Sequence, residues 1–124
     1  MQTWVLQNRI TTIRGIKMII YSMVESKRGL VNPEEAGNFY DTPASVTAHL
    51  QSEFYDKGTV TFTTHTAQND LRRVRVFFCQ DGQTAAKLLA DPVFATDIAT
   101  NKAYNSSHHI KTQEFDSDPT HNTF

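Results

Sequence analysis

The stretch from Thr59 to Cys79, TVTFTTHTAQNDLRRVRVFFC, constrains this chain more than any other. Two runs of β-branched and aromatic residues flank Gln68-Asn69-Asp70, a composition that reads as strand, tight polar turn, strand. Asn and Asp tolerate left-handed backbone angles, so the reversal falls where the apolar pattern stops. The rest of the chain is arranged around this β-hairpin, which by itself supplies no reaction.

Taken in order, Trp4 to Ile13 alternates loosely and reads as a strand or arm that Arg14-Gly15 breaks, giving an N-terminal segment over 1–15. Ile16 to Val24 is short and isoleucine-rich, which favours a strand, and both of its faces are largely apolar. Glu25 to Asp41 is a long connector in which Asn32-Pro33-Glu34-Glu35 has the form of a helix start, with Pro at the first position and acids in the first turn. Connectors of this length often line a site or an interface, although a surface excursion is the plainer reading.

Thr42-Pro43 repeats the start signal and opens a helix to about Asp56, with Val46, Leu50 and Phe54 recurring every four residues. After the hairpin, Asp81-Gly82 begins a second helix with Ala85, Leu88 and Leu89 on its apolar side. Asp91-Pro92 interrupts that helix and caps a further helical piece carrying Phe94, Ile98 and Tyr104. Ile110 to Phe115 returns as a strand, and 116–124 is a polar, flexible tail.

That order, strand-helix-strand-strand-helix-strand over 16–115, predicts a ferredoxin-like α+β domain: a four-stranded antiparallel sheet with its helices on one face. At 124 residues there is room for one such domain and no second. On the hairpin, Val60, Phe62, Thr64 and Thr66 with Val74, Val76 and Phe78 are expected to lie under the helices. The opposite side would then carry Thr59, Thr61, Thr63, His65, Arg73, Arg75, Phe77 and Cys79, joined by Ile19, Tyr21 and Met23. So apolar a face needs a cover, and a second copy of the sheet is the simplest one, so a homodimer through the open sheet face is expected.

The strand order, the helix break at Leu89-Ala90-Asp91-Pro92-Val93-Phe94 and the following Tyr104 and Ile110 resemble the dimeric α/β-barrel superfamily, which includes the antibiotic-biosynthesis monooxygenase-like proteins. The resemblance implies two ferredoxin-like subunits packed sheet to sheet, with a pocket between sheet and helices able to hold a small molecule or haem. The chain departs from that pattern in its long 25–41 connector, and no catalytic motif carries over residue by residue.

Twelve basic against thirteen acidic residues leave a formal net charge of -1, which gives no long-range attraction for nucleic acid or an anionic membrane. Arg72, Arg73 and Arg75 with Phe77 and Phe78 have the composition of an RNA-stacking strand, but the aromatic pair alternates faces and the glycine-containing core of that motif is missing. Neither nucleic acid nor membrane is therefore expected as a partner. The single cysteine, Cys79, excludes an intramolecular disulfide or a Cys-rich metal site, and a reducing, cytoplasmic setting is the default. The apolar run at Ile16 to Val24 is too short to span a bilayer, and MQTWVLQNRI lacks the pattern of an export signal.

Tyr21, His65, Arg73, Arg75 and Phe77 are the candidate ligand-binding residues. A histidine, two guanidiniums and a phenol in one cavity would suit an anionic or phenolic ligand, with His65 as acid or base. His108-His109 point apart on an extended segment and do not make a metal site, while His49 with Glu53 at i+4 reads as a surface pair. No metal or cofactor is expected. The function these residues suggest is a small homodimeric ligand-binding or interaction module. The rivals are a cofactor-independent or haem-linked oxygenase or isomerase, and a component of a viral or other assembly.

Overall fold

The computed structural model describes residues 12–13, 16–17, 19–67 and 69–116. The expected tail beyond 116 and the arm before 12 lie outside them. Strands β1 (Thr12–Ile13) and β2 (Ile16–Lys17) form a small ladder of their own. The main sheet is built from β3 (Ile19–Ser26), β4 (Val60–Ala67), β5 (Arg72–Cys79) and β6 (Lys111–Asp116), all neighbours antiparallel, in the order β4-β5-β3-β6. Helices α1 (Ala44–Leu50), α2 (Gly82–Ala90) and α3 (Pro92–Ser107) complete the ferredoxin-like topology that the strand order predicts. Among the described residues no helix is long and apolar enough to cross a membrane.

The hairpin register overturns the expected assignment of faces. Ala67 pairs with Arg72 and Phe62 with Phe77, so an even number of residues intervenes in the turn and residues of opposite parity face each other. Asn69 and Asp70 both hold positive φ, 57° and 65°, as the turn chemistry requires. Phe62 therefore shares a face with Phe77 and Arg75, not with Val76 and Phe78. Tyr21, Met23, Val60, Phe77 and Cys79 are buried under Leu50, Phe54, Ala85, Leu88, Phe94 and Ile98 of the helical layer. The face expected to await a partner is thus the one the chain's own helices cover.

The face opposite the helices instead carries Ile20, Val24, Val74, Val76, Phe78 and Phe115, interleaved with Ser22, Thr61, Thr63 and His65. The expectation went astray because Glu25, Arg73 and Arg75 share a face with Tyr21 and Phe77, and charged residues normally mark the solvent side. Here they neutralise one another beneath a helix.

Both helix starts after the hairpin hold through their aspartates: Asp81 accepts from Thr84 N at 2.8 Å and Asp91 from Phe94 N at 3.0 Å. The connector makes one 3₁₀ turn at Pro33–Ala36, whose Asn32 contributes its carbonyl to Glu35 N at 3.0 Å and no side-chain cap. The Thr42-Pro43 start likewise has no side-chain cap. Thr42 turns its hydroxyl to Arg75.

Candidate functional site

The site begins with a row of aromatic rings across the sheet. Register sets Phe62, Phe77 and Tyr21 side by side, with centroids 4.7 Å apart for Phe62 and Phe77 and 6.0 Å for Phe77 and Tyr21. Pro92 opens α3, and two residues later Phe94 drops its ring edge-on against both Phe77 and Tyr21, at 5.1 and 6.1 Å. Such tilted and edge-to-face contacts suit the ring quadrupoles.

Helix α1 continues into a π-turn at Gln51–Tyr55, closed by Asp56 N donating to Gln51 O at 2.7 Å. The wider turn adds a residue to the local repeat, so that Phe54 enters the core while Tyr55 stacks over Phe62 at 6.3 Å. Between these elements lies a cleft of about 100 Å³, walled by Tyr55, Phe62, Phe77 and Phe94 and closed by Thr42, Arg75 and Asp97.

Next to the cleft the sheet turns polar. Glu25, with no solvent exposure, receives Arg73 Nε at 2.6 Å, Asn101 Nδ2 at 2.9 Å and Asn105 Nδ2 at 2.8 Å. Burial alone would raise its carboxyl, but the hydrogen bonds from Arg73, Asn105 and Asn101 outweigh that and hold it below its ordinary value. Arg75 is 5% exposed and donates to Asn101 Oδ1 and, at 3.3 Å, to Thr42 Oγ1. Its Nε finds no hydrogen-bond partner, although Glu25 Oε1 stands 3.8 Å away. Desolvation and the neighbouring Arg73 pull Arg75 down from its usual value, opposed by Glu25 and Asp97.

The connector is strapped across this polar end. Arg73 donates to Tyr40 O at 2.8 Å, Lys27 to Gly37 O, and Tyr104 OH to Asn38 O at 2.5 Å. The Phe39 ring lies within cation-π distance of Lys27 and Arg73, 4.4 and 5.2 Å from its centroid. Tyr40 donates to Asp97 at 2.7 Å, and its phenol is pushed up to about 12 by desolvation and that carboxylate.

Of the residues singled out in the sequence, Tyr21, Arg73, Arg75 and Phe77 share the helix-covered face, and Arg75 and Phe77 line the cleft. Tyr21 instead donates to Glu114. His65 is separated from all of them: it pairs with Val74 on the opposite face and is exposed. His49 turns to Asp91, at 2.9 and 3.0 Å from the two carboxylate oxygens, and not to Glu53. Cys79 is buried, and desolvation with nearby Asp81 pushes its thiol up to about 11, the reverse of activation.

Glu25, Asp97, Asn101 and Asn105 escaped the sequence reading. The last three recur every four residues along α3 and are buried, a polar stripe that apolar periodicity assigns to solvent.

No family model and no curated protein matches the chain. Among solved structures, a single-substitution mutant of SnoaB, a cofactor-independent oxygenase from Streptomyces nogalater, is similar at 16% identity and a TM-score of 0.49, over 80% of this chain and 89% of that one. A likeness at that level carries no inference about activity.

Proposed function

We propose that this chain is a ligand-binding α+β module that acts as a homodimer. The cleft receives one small ring compound between Tyr55, Phe62 and Phe94 and holds an oxygen of it at Arg75 and Thr42. The observation that carries this reading is a cleft with aromatic walls whose polar end is closed by Arg75, Thr42 and Asp97. Apolar walls with one or two fixed polar groups are the usual make-up of a small-molecule site. Saturation-transfer NMR with phenol tests it. Phenol should bind, and Phe62→Trp, which fills the cleft from the sheet side, should abolish binding with the fold intact. Absence of binding to the unaltered protein, or equal binding by the variant, rejects the cleft.

The homodimer is supported by the apolar character of the sheet face opposite the helices. Val24, Val74, Val76 and Phe78 cluster on one side of a sheet whose other side is already covered by the helices. At about 25 cal/mol per Å² of apolar area removed from water, a second copy laid on this face gains several kcal/mol. Light scattering should give twice the chain mass, and Val76→Glu, at the centre of the face, should give the monomer with unchanged circular dichroism. A monomer at high concentration without the substitution rejects the dimer.

A further inference from the structure

A second apolar space lies behind the cleft. It is a groove of about 220 Å³ between α3 and the sheet, whose walls include Tyr21, Leu89, Ala95 and Ala99 and whose rim carries Lys102 and Glu114. Phe94 and Ile98 line both spaces. The Phe94 ring stands edge-on to Phe77, which faces the cleft, and edge-on to Tyr21, which faces the groove. Since Tyr21 and Phe77 are neighbours in the β3-β5 register, the ring divides what the sheet presents as one continuous floor. Neither space reaches the ~300 Å³ at which small-molecule pockets usually begin, whereas the two together do.

We infer that Phe94 is the size-determining wall of the ligand site: it limits the cleft to a single ring, and its displacement opens the groove to a longer, two-ring aromatic ligand. This rests on the ligand-binding reading of the cleft. The ring is fixed by its own backbone, because Phe94 N–H is the group that Asp91 caps, and Asp91 is gripped in turn by His49. The far end of a longer ligand would meet the Tyr21 hydroxyl and the Lys102–Glu114 ion pair, which accommodates a neutral hydroxyl better than a second charge.

The test compares phenol with 4-phenylphenol on the unaltered protein, Phe94→Ala and the milder Phe94→Leu, each checked for fold by circular dichroism. A gain of about tenfold or more for 4-phenylphenol in a folded variant, set against the loss of phenol affinity that removing a cleft wall brings, supports the wall. A folded variant that gains nothing overturns it. If phenol fails to bind the unaltered protein, the ligand reading falls separately, and xenon-pressurised crystals of Phe94→Leu decide the wall. Xenon occupying the vacated space between Tyr21 and Phe77 supports a divided cavity, and its exclusion from that space overturns it.

Discussion

Glu25 Oε1 lies 2.6 Å from Arg73 Nε, and the carboxylate that makes this contact has no solvent exposure. One anion thus stands between two guanidiniums, with Asn101 and Asn105 filling its remaining oxygen. Replacing a whole buried ion pair by apolar residues can be neutral, but removing one member leaves uncompensated charge and costs about 3–5 kcal/mol. Glu25→Ala should therefore lower the urea midpoint severely in a protein whose total stability is of order 5–15 kcal/mol. Glu25→Gln, which keeps the shape and an acceptor, should cost less. Equal midpoints for Glu25→Ala and the unaltered protein would remove the cluster from the stability argument.

The same carboxylate shapes the acid limb of stability. Its folded pKa is depressed below the ordinary 4.5, so the unfolded chain binds the proton more readily. The contribution is present above pH 4.5 and is lost as pH falls through the folded value. Asp91 behaves alike: burial raises it, but His49 and the backbone of Phe94 outweigh that and hold it below 3.8. Unfolding free energy should fall between pH 5 and pH 2 in the unaltered protein and fall less in Glu25→Gln. Parallel acid limbs in the two proteins would exclude Glu25 as a source.

The limits of sequence reading are visible in these residues. Asn69-Asp70, Asp81 and Asp91-Pro92 announce themselves locally, since turn angles and helix caps are set by residues within three positions, and the strand and helix order followed from them. Which face of the hairpin meets the helices depends on the parity of the turn, and one residue of difference flips every side chain. The Glu25 cluster was illegible for another reason. Glu25 is separated from its partners by 48 to 80 positions in the chain, so nothing local signals that their charges and amides satisfy one another. Aromatic Tyr21 and Phe77 were recognised as neighbours, but polarity placed them on the wrong side.

Asp91 serves two helices at once, ending α2 and capping α3 while receiving His49 from α1. Asp91→Ala should lose the cap and the histidine contact together, about 1–2 kcal/mol from the cap alone. His49→Ala, which spares the cap, should cost less than about 1 kcal/mol, because its ring is partly exposed. In a double-mutant cycle the two changes should be non-additive. Additive costs would mean that the contact contributes nothing measurable.

The thiol of Cys79 offers a clock for opening of the core. It sits at the end of β5 beside Val60 and Ile19, 1% exposed, and its elevated pKa keeps it protonated at neutral pH. Thiolate is the reacting form, so a thiol reagent must wait for the strand pair to open. Labelling with an aromatic disulfide reagent at pH 7.5 should be slow in the native protein and complete at once in denaturant. Glu25→Ala should accelerate it, since weakening the fold raises the population of open forms. Fast labelling of the native protein, or no acceleration in that variant, would show that Cys79 is reached by local fraying of β5 and not by opening of the core around Phe77.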